Sequence, residues 1–262
     1  MTKIDLELEN LKAFDLSIPL RFKGPQPNAW GVERAASRPV VAGELIGDTR
    51  RGGSVNFEQY TFIPHCSGTH TECVGHITHE RISIRECLKD ILIPAKLISV
   101  EPESADRDKV ITRAALESGF HRLNFPDLQP SLRTPQFKAL IVRTFPNGDW
   151  KQNAEYGEDN IPAYFASDAM DMIVEIGVKH LLVDLPSVDR IFDDGKLVNH
   201  RKFWNVEPDS HEVNRETHIG NTITELIYVP DEIEDGEYLL NLQIAPFESD
   251  CSPSRPILML EN

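Results

Sequence analysis

The sequence has few cysteines, few basic residues and no long apolar run. Four cysteines among 262 residues, at positions 66, 73, 87 and 251, are too few for a disulfide framework and fit reduced thiols in the cytosol. Forty-two acidic residues against 27 basic ones give a net charge of −15, which argues against nucleic acid or an anionic membrane as a partner. No stretch reaches the roughly 18 apolar residues of a membrane span. We therefore expect a cytoplasmic protein that acts on a small molecule.

Nothing in the composition divides the chain. It contains no internal repeat, no low-complexity tract and no Pro/Gly/Ser-rich linker, so we expect one domain over residues 1–262. The first ten residues carry acidic side chains where a signal peptide would need an uninterrupted apolar run. The sequence therefore predicts a protein without a targeting segment.

Short apolar runs alternate with amphipathic stretches, which is typical of α/β domains. Helices are predicted over Ile111–Ser118, with Thr112 as cap and Gly119 as its end, and over Ser167–Ile176, with Gly177 as its end. Asp235 and Gly236 read as a solvated hairpin turn. The runs that suit strands are Phe14–Ile18, Ile91–Val100, Ala139–Arg143, Leu181–Val183, Thr222–Val229 and Tyr238–Ile244.

Residues 64–76 concentrate the side chains that bind transition metals. This stretch reads Pro-His-Cys-Ser-Gly-Thr-His-Thr-Glu-Cys-Val-Gly-His, which offers imidazole, thiolate and carboxylate ligands together. If the chain is extended from His70, a period of two places His70, Glu72 and His76 on one face. A bend at Gly68 would let His65 or Cys66 approach the same ion. The pattern indicates a metal-dependent enzyme.

A plainer interpretation applies to single members of this cluster. His65 and His79 suit polar loop positions, and Cys66 and Cys73 suit small core positions, since unpaired cysteines are often buried. His76 also fits as one more ligand or as a buried core histidine. For the cluster as a whole this interpretation is weaker, because several ligand types rarely gather at such spacing without a function.

The segment Ser67-Gly-Thr-His-Thr-Glu-Cys-Val-Gly-His resembles the metal motif His-x-Gly-Thr-His-x-Asp-x-Pro-x-His of the Putative cyclase family, which contains bacterial kynurenine formamidases and isatin hydrolases. The resemblance implies a single α/β domain of the swivelling β/β/α type with a mixed sheet, assembled as a homodimer or higher homo-oligomer. It continues in chain order through Asp15-Leu-Ser-Ile-Pro-Leu, Ala163-Tyr-Phe, Val183-Asp-Leu-Pro-Ser-Val-Asp, Ile223-Thr-Glu-Leu and Asp250-Cys-Ser-Pro-Ser-Arg.

By this resemblance the catalytic residue is His76. The family's first histidine is missing, because Cys66 occupies its position and His65 precedes it, so either residue could replace it. The longer spacing before the distal glutamate implies an insertion around residues 205–217 that contains His211. The implied metal ligands are Cys66 or His65, His70, Glu72, His200 and Glu225.

These ligands imply one or two divalent ions, with zinc favoured and manganese also suitable. Asp184 and Asp189 follow an apolar strand, where loops often orient ligand imidazoles, although a plain turn explains them equally. Trp30, Phe203 and Trp204 could form a wall for an aromatic amide or simply pack in the core.

A metal-bound water and a histidine with an ordinary pKa near 6.5 together suit amide hydrolysis near neutral pH. We expect an arylformamidase that converts N-formyl-L-kynurenine to L-kynurenine and formate. The alternatives are a hydrolase of a cyclic amide or ester, similar to isatin hydrolase, and a non-catalytic relative that binds a metal or ligand.

Overall fold

The computed structural model describes residues 11–123 and 137–261, so the first ten residues, on which the expectation about targeting depends, lie outside it. Its helices are α1 (Pro64–Ser67), α2 (Ile84–Cys87), α3 (Arg113–Arg122), α4 (Ser167–Glu175) and α5 (Val198–Trp204), with 3-10 helices at Thr49–Arg51, Val74–His76 and Asp149–Asn153. Its strands are β1 (Leu11–Asp15), β2 (Asn28–Ala29), β3 (Ala36–Pro39), β4 (Val41–Ala42), β5 (Leu45–Ile46), β6 (Glu58–Thr61), β7 (His70–Glu72), β8 (Leu92–Val100), β9 (Glu103–Ala105), β10 (Asp108–Ile111), β11 (Ala139–Thr144), β12 (Glu155–Tyr156), β13 (Tyr164–Phe165), β14 (His180–Val183), β15 (Thr222–Glu225), β16 (Gly236–Ile244) and β17 (Cys251–Glu261).

Seven strands close into a barrel in the order β17, β16, β8, β11, β14, β15, β7 and back to β17. The strands β8, β11, β14 and β15 run parallel to their neighbours in this group, while the pairings that involve β16, β17 and β7 are antiparallel. The strand β1 pairs with β17 outside the ring. The fold is therefore a single α/β domain with a mixed sheet, as the sequence predicts.

Side chains that alternate along the parallel strands build two cores on opposite faces of the sheet. Ile141 of β11 and Leu182 of β14 belong to the cluster that fills the barrel. Their neighbours Val142 and Val183 belong to a second cluster, between the sheet and the helices α3, α4 and α5. The runs predicted for these strands are nearly continuous in apolar residues because both faces are buried.

Most predicted strands are confirmed, and four expectations are wrong. The first strand covers Leu11–Asp15 and shares only two residues with the predicted Phe14–Ile18. The strand from Thr222 ends at Glu225 rather than Val229, because Leu226 has a φ of 53° and turns the chain. The longest strand, β17, is missed by the sequence patterns. The predicted hairpin at Asp235 and Gly236 is absent, because the strands on either side of it, β15 and β16, are not neighbours in the sheet. The Asp235 carboxylate instead accepts hydrogen bonds from the backbone N–H and the hydroxyl of Ser99.

Both predicted helices are present. The hydroxyl of Thr112 caps α3 by accepting from the backbone N–H of Ala115, but the helix continues through Gly119 to Arg122, since that glycine packs closely on Ile98. The helix α4 ends before Gly177, which has a φ of 78°. Within residues 11–123 and 137–261 we find no helix with the length and apolarity needed to span a membrane.

A buried histidine lies at the start of β14, well separated in sequence from the motif at residues 64–76. His180 Nδ1 lies 2.8 Å from the Thr222 hydroxyl, and its Nε2 lies 3.1 Å from Asp90 Oδ2. Because only Nε2 faces a carboxylate, the neutral ring donates from Nε2 and accepts at Nδ1. Burial lowers the pKa of His180 to about 4. The folded protein therefore keeps this imidazole neutral.

We predict that, because of His180, the free energy of unfolding decreases as the pH is lowered. The unfolded chain binds the extra proton between its pKa of about 6.5 and the folded pKa of about 4. Stability is therefore full above pH 6.5 and declines as the pH falls through this window, by on the order of 3 kcal/mol. Urea unfolding at a series of pH values should show a weaker dependence for His180→Gln than for wild type. The control is His121→Gln on α3, where the side chain is exposed. Equal pH dependence in wild type and His180→Gln would contradict the prediction.

Candidate metal centre

The pairing of β7 with β15 brings the first ligand candidates together. Glu225 lies directly opposite His70 in this antiparallel pair, and Glu72 is two residues further along the same face. The His70 Nε2 atom lies 3.4 Å from Glu225 Oε2. All three side chains are buried. The predicted extended backbone at His70–Glu72 is confirmed, and it places an imidazole between two carboxylates.

His76 reaches the same place by a different route from the one predicted. The strand ends at Glu72, and a 3-10 turn at Val74–His76 replaces the expected extension. A Cβ atom on Gly75 would lie 2.1 Å from the backbone oxygen of Ile82, so the turn requires glycine there. The turn brings His76 Nε2 to 3.9 Å from Glu72 Oε2.

The single turn of α1 presents His65, and not Cys66, to Glu72. His65 Nε2 lies 3.5 Å from Glu72 Oε2. Its ring stacks on that of His76, with 4.6 Å between centroids. Cys66 is buried, and burial, followed by the charge of Glu225, raises the pKa of its thiol to about 11. The geometry gives no support to Cys66 as a ligand of the ion that His65 would bind.

His200 on α5 joins the cluster from the side opposite β7. Its Nδ1 atom lies 2.6 Å from Asp189 Oδ2, and its Nε2 atom lies 3.1 Å from Glu72 Oε1. The Asp189 carboxylate also accepts hydrogen bonds from the backbone N–H groups of Asn199 and His200. Burial alone would lower the pKa of His200, but Asp189 and Glu72 raise it well above its ordinary value. Asp189 thus orients this imidazole toward Glu72.

Glu72 is the carboxylate that the two sides of the cluster share. Burial opposes its charge, but His76, then His200 and His65, hold its pKa well below the usual range. Three potential ligand atoms, one each from His65, Glu72 and His76, lie within 4.8 Å of one another. The same is true of His70, Glu72 and Glu225. A carboxylate placed between two ligand groups can serve one ion or bridge two.

The orientation of His70 fits a bound cation. Its Nδ1 atom lies 2.9 Å from the Gly68 backbone oxygen, which can only accept, so Nδ1 carries the proton and Nε2 a lone pair when the ring is neutral. That Nε2 atom is buried without a hydrogen-bond partner and faces the Glu225 carboxylate. A lone pair opposite a negative oxygen is unfavourable unless a positive charge lies between them. The residues present therefore fit a divalent metal, and these nitrogen and oxygen ligands give no preference for zinc over manganese.

Exposure to solvent differs between the side chains of the cluster in the described part of the chain. The side chains of His65 and His76 are 26% and 29% exposed, whereas those of His70 and Glu225 are 0% and 4% exposed. The accessible side of the cluster is therefore the one that carries His65 and His76.

Several residues singled out from the sequence lie elsewhere. Asp184 binds Thr144 and Lys151, whose ammonium group is 2.7 Å away, so it supports the loop after β11 rather than a ligand imidazole. Phe203 and Trp204 belong to the core between the sheet and the helices and form no wall. His211 binds the Ile77 backbone oxygen.

Asp250 is the site residue that sequence reasoning missed. It precedes β17, and its Oδ2 atom lies 3.1 Å from His65 Nε2 and 3.5 Å from His76 Nδ1. Contact with His65, and then with His76, holds the pKa of this carboxyl well below its usual range. The sequence does contain a signal for this residue, since Asp250 is the first residue of a segment that resembles the family. The resemblance gives that position no function, however, so Asp250 was not named as a site residue.

Comparisons with known proteins agree with this geometry. The sequence profile of the family described as Putative cyclase matches residues 14–190. Kynurenine formamidase from Bacillus cytotoxicus is 27% identical over 217 residues, which span 82% of this chain and 85% of that protein. Kynurenine formamidase from Bacillus anthracis is 25% identical over the same shares of the two chains.

Solved structures share the fold. Isatin hydrolase A from Labrenzia aggregata, bound to benzyl benzoate, superposes with a TM-score of 0.66 at 14% identity, covering 97% of this chain and 95% of that one. A structure described as a predicted metal-dependent hydrolase from Bacillus stearothermophilus gives 0.62 at 14% identity, covering 95% and 98%. At such identities the likeness concerns the fold alone. The profile match spans more than half of the sequence, including His65, His70, Glu72 and His76, and the chain belongs to the Putative cyclase family.

Proposed function

We propose that this protein is a metal-dependent hydrolase of a non-peptide amide, and that its substrate is an aryl formamide such as N-formyl-L-kynurenine. The observation that carries the proposal is the shared Glu72, which lies between two groups of nitrogen and oxygen ligands while His76 faces the open side. The similarity to bacterial kynurenine formamidases supports the reaction class.

His70, Glu72 and Glu225 would hold the ion, with His65 and His200 close enough to complete its coordination or to bind a second one. A divalent metal supplies a Lewis acid and lowers the pKa of bound water toward about 7. We assign the family's first-histidine role to His65, since the Cys66 thiol lies outside both groups. Asp189 fixes the orientation of His200.

His76 is the residue that moves the proton. It takes a proton from the attacking water as the new C–O bond forms at the formyl carbon, and it returns that proton to the leaving nitrogen as the C–N bond breaks. The products are formate and the free aryl amine. His76 suits this role better than that of a ligand, because it is the most exposed imidazole of the cluster and lies farther from the Glu72 carboxylate than His65 and His200 do.

A row of aromatic rings beside the opening supports an aromatic substrate. The Phe62 ring lies 6.1 Å from Phe22 and 6.3 Å from Phe247, and Phe22 lies 4.4 Å from Tyr60. Phe62 is three residues before His65 and Phe247 is three before Asp250, so the two chain segments run side by side toward the open face of the cluster. Of the three aromatic residues that the sequence offered as a wall, Phe203 and Trp204 lie in the core, and Trp30 is partly exposed and donates from its ring N–H to the Ile191 backbone oxygen.

We propose two further properties, a fold type and an oligomeric state. The swivelling β/β/α type is implied by the family and is compatible with the mixed barrel. A homo-oligomer is compatible with the exposed apolar side chains of the segment that carries β3 to β6, which are Val41, Leu45, Val55, Phe57 and Tyr60.

The ligand set predicts which substitutions remove the metal. His70→Ala and His65→Ala should each weaken zinc or manganese binding by more than about 100-fold, since loss of even a supporting residue costs 10- to 100-fold. Cys66→Ala, the matched control, should bind as wild type does. Metal analysis and calorimetric titration of folded protein measure the effect. Loss of affinity in Cys66→Ala together with retention in His65→Ala would make the thiolate the ligand instead.

His76→Ala should abolish turnover while the metal stays bound. General acid–base catalysis contributes about 10²- to 10⁴-fold, so formate release from N-formyl-L-kynurenine should fall by at least about 100-fold. A screen with defined metals should include isatin and simple lactones. Faster turnover of a cyclic substrate favours the isatin-hydrolase-like alternative, and a folded protein that binds no metal and turns over nothing favours the non-catalytic one. Loss of metal in His76→Ala would make His76 a ligand.

The aromatic row should set the preference for aryl formamides. Phe62→Ala and Phe247→Ala should raise KM for N-formyl-L-kynurenine by about 5- to 20-fold, which corresponds to roughly 1 to 2 kcal/mol of lost ring contact. The KM for an aliphatic formamide should change little. Phe192→Ala removes a ring of similar exposure on the loop before α5 and serves as the control. Equal effects on both substrates would exclude ring recognition by this row.

A further inference from the structure

The position of Asp250 is fixed by the metal-binding segment itself. Its backbone oxygen accepts a hydrogen bond of 3.0 Å from the N–H of Cys73, the residue after Glu72. The next residue, Cys251, lies opposite Glu72 where β17 pairs with β7. The carboxylate is 13% exposed, and its Oδ1 accepts from the Ser249 hydroxyl at 3.2 Å. Its other oxygen is left to face the histidines.

The two nitrogens of His76 face different carboxylates. Nδ1 lies 3.5 Å from Asp250 Oδ2, and Nε2 lies 3.9 Å from Glu72 Oε2. The ring is confined on both sides, by His65 at 4.6 Å and His200 at 5.8 Å between centroids. The neutral ring can carry its proton on either nitrogen, so the two carboxylates compete for its tautomer.

We infer that Asp250 is a positioning residue, which holds the proton of His76 on Nδ1 so that Nε2 presents its lone pair to the reacting water. A carboxylate only accepts, so it selects the ring form that donates to it. The distance of 3.5 Å exceeds that of a formed hydrogen bond, and such contacts commonly tighten when substrate binds. Asp250 lies closer to His65, at 3.1 Å, without forming a hydrogen bond with its Nε2, so the experiment has to separate the two imidazoles.

Nitrogen NMR on zinc-loaded protein tests this inference without any substrate. At a pH where the same spectra show the His76 ring to be neutral, His76 of the wild type should have a protonated Nδ1 and an unprotonated Nε2. The His76→Gln variant assigns the signals. In Asp250→Asn, which keeps the size of the side chain but can also donate, a substantial fraction of His76 should carry its proton on Nε2. An unchanged tautomer would overturn the inference.

Metal affinity and kinetics separate positioning from ligand support. Because Asp250 forms no hydrogen bond with His65 Nε2, Asp250→Asn should lose much less zinc affinity than His70→Ala, whereas kcat should fall by about 100-fold with little change in KM. Glu248→Gln, two residues away with a side chain that is 79% exposed, is the matched control and should leave all three quantities unchanged. A loss of zinc affinity as large as that of His70→Ala would assign Asp250 to the ligand shell and overturn the inference.

The predicted fall in kcat rests on the proposed hydrolysis, whereas the predicted His76 tautomer does not. A wild-type protein that hydrolyses no formamide, cyclic amide or lactone would refute the proposed function, while the His76 tautomer still decides the role of Asp250. Conversely, normal kcat in Asp250→Asn with an active wild type would refute the inference and leave the hydrolase proposal intact.

Discussion

One buried carboxylate, that of Glu72, is the constraint on which the rest of the site depends. A buried negative charge is costly unless other groups compensate for it, and three imidazoles lie within 4 Å of its oxygens. These imidazoles come from α1, the 3-10 turn and α5, so the packing of three separate segments has to satisfy a single charge. Glu225 and Asp250 add further negative charge nearby. The cluster is thus acidic, and its geometry is consistent with a cation as a structural member.

The sequence predicts the part of this arrangement that follows from local geometry. His70 and Glu72 share a face because strands have a period of two, and that holds for any partner strand. Glu225 and His200 could be named only by resemblance, since their approach depends on how β15 and α5 dock against β7. Asp189 contacts His200, and its position in a loop after a buried strand is the feature by which the sequence singles it out.

The errors have physical causes. The 3-10 turn to His76 and the turn at Leu226 depend on backbone angles that composition does not indicate. The choice between Cys66 and His65 depends on which of two neighbouring residues in a single helical turn faces Glu72, and the sequence does not show this. The strand β17 was missed because proline and serine at its start disguise it, and Asp250 was missed with it.

The pairing of β17 with β7 has a consequence for how the protein folds. Cys251 and Glu72 are about 180 residues apart in the chain, so their contact closes one of the longest loops in the domain and is slow to form for entropic reasons. Because β17 seals the barrel and directly follows Asp250, the Asp250 carboxylate reaches the histidines only once this strand has docked. Any ligand that binds only the closed form would therefore stabilise the folded chain by mass action.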